Sequence, residues 1–285
     1  MLSHSPRFVA ALATALLLGG CVADLRPMSL SVLEQPRNEA CGRRVLENAV
    51  ARQHTEDAAP WRSLPAVSVT FEDSYYGLIG AIACPWPEDP CEVEMTFVPG
   101  VDTSQARFSD EGVPTLWGIH GWNTWRKAEG QEAVYGDLES AITFWLPTLQ
   151  YFLEMPFRLA EAEIVDCAGP GEIVVAGKRT AVDQVYLTWG SYVPHPRFDQ
   201  YLAHVDSTTG FLLRADFTVR DLAGFAKGRV LYGDYRQVGD YWLPHLIQIG
   251  TDPPEDMLHE LRISAWALDG QIEIPDPSLP PKSKP

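Results

Sequence analysis

From Glu163 to Ala267 the chain is a succession of strand-like runs joined by links too short to hold a helix. Strands are expected over 172–176, 184–189, 201–205, 211–219, 229–235, 241–249 and 258–267. Turn formers separate them, among them Asp206-Ser-Thr-Thr-Gly210, Val238-Gly239-Asp240 and Asp252-Pro-Pro. Parallel neighbours need a crossover of a dozen or more residues, so links this short dictate an antiparallel meander. Two earlier runs carry the same message. Val67, Val69 and Phe71 alternate with Ser68 and Thr70, and Val93, Met95 and Phe97 alternate with Glu92, Glu94 and Thr96. A period of two puts one face of each strand on a core and leaves the other wet.

The rest of the pattern is helical or irregular. Residues 41–53 (CGRRVLENAVARQ) pair Val45 with Ala49 and Leu46 with Val50, the stripe of an amphipathic helix. Residues 142–159 (ITFWLPTLQYFLEMPFRL) are apolar and broken at Pro147 and Pro156. The spacing predicts a helix near 148–155, bounded by the two prolines, with Leu149, Phe152 and Leu153 on one face. Residues 118–127 (GIHGWNTWRK) read as an aromatic, turn-rich segment. The fold class is α+β and mainly antiparallel β.

The 285 residues fit one large domain or two small ones. Hydrophobic residues make up 46% and aromatics 11%, which supports a real core and excludes a disordered acidic chain. Acids outnumber bases 38 to 22, for a net charge of −16, so neither nucleic acid nor an anionic lipid surface is an expected partner.

The first twenty residues have the form of an export signal. Arg7 is followed by the apolar run FVAALATALLL and then by Leu18-Gly19-Gly20-Cys21. The run is too short for a comfortable bilayer span. Small residues before a cysteine resemble a bacterial lipobox, which implies a diacylglyceryl group on Cys21 and a membrane-anchored lipoprotein. Val22 stands where Asp would suggest inner-membrane retention, so the periplasmic face of the outer membrane is expected. The chain then divides into signal peptide 1–20, tether 21–39, folded domain 40–280 and a proline-rich, fraying tail 281–285.

Export to an oxidising compartment makes the four other cysteines, Cys41, Cys84, Cys91 and Cys167, a candidate pair of disulfides. Three pairings are possible. Cys84 and Cys91 bracket the short loop CPWPEDPC, which would leave Cys41 for Cys167. Zinc is the alternative, but no Cys-x-x-Cys or suitably spaced His supports it.

Catalytic motifs are scarce. Neither Gly-x-Ser-x-Gly nor His-Glu-x-x-His occurs, and Gly171 with Gly177-Lys178-Arg179-Thr180 breaks the phosphate-loop spacing. His204 and His245 lie in expected strands and read as satisfied sheet residues. His120 and His195 lie in turns, where with Asp137 or Asp199 they could serve a metal- or His-dependent hydrolase. No cofactor is called for and no catalysis is expected. The aromatics are denser than background between Trp117 and Phe157. Trp117, Trp122, Trp145, Phe152 and Phe157 either pack one sheet on one helix or line an apolar hollow.

These pieces together resemble the periplasmic lipoprotein-carrier superfamily, LolA/LolB-like, with regulatory relatives of the RseB kind. The residues that carry the resemblance are the helix CGRRVLENAVARQ, the strand AVSVTFE, the aromatic segment WLPTLQYFLEMPF and the meander from YLAHVDSTTGFLLRADFTV to HELRISAWAL. Asp206 to Leu212 resembles that family's hairpin, and 272–279 its terminal segment. The resemblance implies a curved, unclosed half-barrel sheet over residues 40–280, with short helices covering its concave face. It further implies binding of a hydrophobic ligand, an acyl chain or a lipidated partner. Trp145, Leu149, Phe152, Leu153 and Phe157 would line the cover, and Val69, Phe71, Met95 and Phe97 the opposite wall. An envelope interaction protein with a filled core is the competing expectation.

Overall fold

The computed structural model describes residues 22–31, 37–135, 140–251 and 256–274. The signal 1–20, Cys21, Asp137 and the tail 281–285 lie outside the described residues. Thirteen strands form one sheet. They are β1 (Val67–Tyr75), β2 (Cys91–Phe97), β3 (Thr103–Asp110), β4 (Val113–His120), β5 (Asn123–Ala128), β6 (Val134–Tyr135), β7 (Ile164–Val175), β8 (Lys178–Thr188), β9 (Gln200–Asp206), β10 (Leu212–Thr218), β11 (Lys227–Val238), β12 (Tyr241–Thr251) and β13 (Met257–Ala267). Among the described residues the longer helices are α1 (Glu39–Arg52), α2 (Gly77–Ala83) and α3 (Ser140–Arg158), beside one four-residue helical turn at Met28–Ser31 and two 3-10 turns.

The spatial order is β6-β5-β4-β3-β2-β1-β13-β12-β11-β10-β9-β8-β7, in which every neighbouring pair is consecutive in the chain except β1 with β13. Every strand pairing is antiparallel, as the short links require. β6 and β7 are the two free edges, so the sheet is not closed. The chain leaves one edge at β6, crosses as α3, and starts the other edge at β7. That crossing bends the sheet. Side chains of α3 touch Tyr75 on β1, Tyr201 on β9, Phe217 on β10 and Tyr241 on β12. The strands in contact, from β1 to β9, span five spacings, about 24 Å laid flat, and the curled sheet presents them all to the one helix.

The wrapped face is the one that alternation marked. Val67, Val69 and Phe71 point inward, as do Val93, Met95 and Phe97 on the paired strand, and all are essentially without solvent exposure. Val185, Ala203, Ala215 and Val230 continue the same apolar wall on β8 to β11.

Three elements differ from expectation. Residues 118–127 form the β4–β5 hairpin rather than a loop. Its two-residue turn, Gly121 and Trp122, has φ of 50° and 64°, the positive values that a right-twisted hairpin needs. β7 starts at Ile164 instead of 172 because a bulge between Cys167 and Gly169 interrupts the alternation. α3 runs through both prolines instead of stopping at them. Pro147 cannot donate to the Thr143 carbonyl of the preceding turn, and one residue on the Thr148 hydroxyl donates to the Phe144 carbonyl at 2.6 Å. Pro156 frees the carbonyl of Phe152, and the Tyr232 hydroxyl of β11 donates to it at 2.9 Å. A sheet residue thus repairs the defect in the helix.

Cys41 and Cys167 are bonded, tying α1 to β7 across 126 residues of chain. The contact is close: a Cβ on Gly42 would lie 2.6 Å from Val165 Cγ1. Cys84 and Cys91 are free thiols, so the expected second bridge is not formed. The intervening loop is drawn inward by Trp86, whose indole donates to Asp73 at 2.8 Å. Burial also pushes both thiols up, to about 11 for Cys84 and about 12 for Cys91, away from the reactive thiolate.

Two outcomes are expected. Replacing Tyr232 by Phe strands a buried carbonyl and costs about 1–3 kcal/mol in urea unfolding, with the far-UV spectrum unchanged. Replacing Cys41 and Cys167 together by Ser lowers stability by about 2–5 kcal/mol, while replacing Cys84 by Ser leaves the non-reducing mass of the folded chain free of any lost bridge.

Candidate functional site

The concave wall and α3 form the one place where the fold assembles the residues expected to bind a ligand. Leu149, Leu153, Phe71, Met95 and Phe97 are fully buried there, and Trp145, Phe152 and Phe157 nearly so. They belong to one continuous core. The expected hollow is therefore occupied by the cover's own side chains. Phe152 packs at 5.4 Å on Phe217, and Phe157 stacks at 4.3 Å on Trp61, from the turn before β1. Sheet curvature brings the two walls within side-chain reach, and α3 fills the space between them.

Trp117 lies in the same core, on the inner face of β4 in one cross-strand row with Val69, Met95 and Ala106, where it joins Phe108 (4.9 Å) and Trp86 (5.5 Å). Trp122 stands half-buried at the hairpin tip, its indole donating to Asp102 at 3.2 Å.

The cover is fastened unevenly. Its C-terminal half carries polar clips. Glu154 is buried and accepts from Gly100 N (2.7 Å), Trp61 Nε1 (3.2 Å) and Gln150 Nε2 (2.7 Å). Gln150 also donates to the carbonyls of Val98 and Val101, in the β2–β3 turn. Gln53 of the α1 terminus donates to Pro156 O at 3.0 Å. The N-terminal half is held by apolar contacts through Ile142, Trp145, Leu146 and Leu149. Beneath Trp145 lies a polar spot in the wall. Asp73 is fully buried, accepts from Trp86 and meets His259 Nδ1 at 3.1 Å. Tyr75 stacks on His259 at 4.8 Å, and Trp145 stands edge-on to both rings.

Sequence reasoning missed Asp73, His259, Glu154, Trp61 and Trp86. Asp73 did carry a signal, because it continues the inward phase of Val67, Val69 and Phe71. The others depend on contacts across distant parts of the chain. The turn histidines do not converge: His120 bonds Thr103 at 3.1 Å, and His195 bonds the Arg197 amide at 3.1 Å. His204 meets Asp216 at 2.8 Å and His245 its neighbour's carbonyl, as satisfied sheet residues do. No three metal-ligating side chains cluster among the described residues.

Burial raises the Glu154 carboxyl above the ordinary range, against the opposing hydrogen bond from Gln150. The unfolded chain ionises this group first as pH rises. Its contribution to stability is thus greatest below about 4.5 and is lost as pH climbs through the raised folded value. Glu154→Gln should remove that slope, seen as a flatter pH dependence of the urea midpoint relative to the parent.

The sequence matches no protein-family model and no curated protein. Solved structures do match. A domain assigned to outer membrane lipoprotein sorting from Vibrio parahaemolyticus has 12% identity and a TM-score of 0.50, over 83% of this chain and 95% of that one. A LolA superfamily protein from Nitrosomonas europaea has 11% identity and a TM-score of 0.47, over 81% and 94%. At such identities the likeness concerns the backbone alone. The unclosed antiparallel sheet wrapped on a crossing helix shares its fold with the Vibrio parahaemolyticus domain.

Proposed function

We propose that this chain is an envelope lipoprotein, anchored through Cys21 at the periplasmic face of the outer membrane, that binds an acyl chain or lipidated partner without catalysing a reaction. The observation that carries the reading is the unequal fastening of α3. An apolar wall, with Asp73 and His259 as a polar spot beneath Trp145, is sealed by one helix, clipped by Glu154 and Gln150 at its C-terminal half and, among the described residues, held through apolar and aromatic side chains at the other. Swinging the N-terminal half outward would uncover Tyr75 and His259, on which Trp145 packs. An apolar occupant that replaces the helix on the wall gains ~0.8 kcal/mol per buried methylene. The fold shared with a lipoprotein-sorting domain supports the same reading.

The competing reading, a filled core whose outer surface meets another envelope protein, is favoured by the close packing of Phe152 and Phe157 against the sheet and Trp61. A photoreactive palmitate supplied to cells producing the full chain separates the two. Covalent label is expected in peptides of β1, β2 and α3, around Phe71, Met95 and Leu149. Label confined to outer-face peptides, or none, would sink the ligand-binding reading and leave the packed one.

A further inference from the structure

The antiparallel register places the end of β1, β3, β8, β10 and β12 and the start of β2, β4, β9, β11 and β13 along one rim of the sheet, here the Tyr75 rim. Exposed apolar side chains concentrate there. α2 (GLIGAIA), which follows Tyr75, turns Leu78, Ile79 and Ile82 outward, with Leu78 78% exposed. Leu222 and Phe225, the latter 52% exposed, project from the β10–β11 loop, and Val113 from the start of β4. Such clustering is unusual for a surface that meets only water. At the opposite rim the exposed large apolar residues are isolated, as Val101 and Val174 are.

The tether ends at that same rim. Ala23 N donates to Gly224 O at 2.9 Å, and the buried Arg220 donates through Nη2 to Ala23 O at 2.6 Å. Leu25 N donates to Gln200 Oε1 at 2.9 Å, at the start of β9. Residues 23–25 are therefore fixed beside the loop that presents Leu222 and Phe225. Two residues of chain reach about 7 Å at most, so a lipid on Cys21 would enter the bilayer next to this loop.

We infer that the Tyr75 rim is a membrane-docking face, with α2 and the β10–β11 loop dipping into the lipid interface beside the anchor. The inference rests on the proposed lipidation of Cys21 and adds an orientation to it. Asp110 and Glu111 stand exposed on the same rim beside Val113, so the docking is apolar and not electrostatic. The N-terminal half of α3, with Trp145 on Tyr75 and His259, lies toward this rim. The less firmly held end of the cover then faces the lipid.

The test uses the full lipidated chain in phosphatidylcholine vesicles whose acyl chains carry bromine. An environment-sensitive fluorescent amino acid replaces Phe225, Ile79 or, as the opposite-rim reference, Val174. Interfacial helices sink ~5–10 Å, so blue-shifted emission and about twofold or stronger quenching are expected at both 225 and 79, with none at 174. High salt leaves the quenching unchanged. Absence of quenching at either rim position, or equal quenching at 174, overturns the inference. Mass spectrometry of the N-terminal peptide keeps the two failures apart. An acylated Cys21 with an unquenched rim retains the anchor and rejects the docking face, whereas an unmodified Cys21 removes both.

Discussion

The crossing of α3 from one sheet edge to the other is the constraint on which the rest of the structure depends. A meander of thirteen strands has two edges and one apolar face. A single apolar helix that must connect those edges can bury itself only by drawing the sheet around it. Curvature, the packed interior and the separation of two rims all follow from that one connection. At Pro156 the sheet supplies what the proline removes: the Tyr232 hydroxyl satisfies the Phe152 carbonyl. Helix and sheet therefore complete each other's hydrogen bonding, and neither closes the hollow alone.

The polar groups inside this interior divide the work of fastening. Glu154 and Gln150 join the cover to the β2–β3 turn, and their hydrogen bonds need defined distances that a sliding helix would lose. Apolar contacts at Trp145 and Leu146 set no such register. The cover thus has one directional and one non-directional end, the asymmetry on which the proposed lipid binding rests.

Much of this was legible in the residues. Alternation in β1 and β2 marked the inner wall correctly at Val69, Phe71, Met95 and Phe97, because a period of two survives any tertiary arrangement. The aromatic segment was recognisable as the cover through Leu149, Phe152 and Leu153. Its length was not, since proline rules assume a helix without outside donors. The hairpin at Gly121 and Trp122 was hidden because a tryptophan with positive φ is an uncommon turn residue. The Cys84–Cys91 pairing failed for a similar reason. Loop length favoured closure, but Trp86 has its own partner in Asp73, on a different strand, and that contact shapes the loop.

The sequence by itself determined the antiparallel connectivity and the phase of the inner wall on β1 and β2. These are local quantities, set by link length, period and side-chain chemistry. Only the tertiary structure decided which strands become edges, that α3 spans them, and that Asp73 meets His259 across β1 and β13. It also gathered Leu78, Ile79, Leu222 and Phe225 onto the rim where the tether is clasped. Those positions are far apart along the chain, and antiparallel pairing, which returns every second turn to the same end of the sheet, is what brings them together.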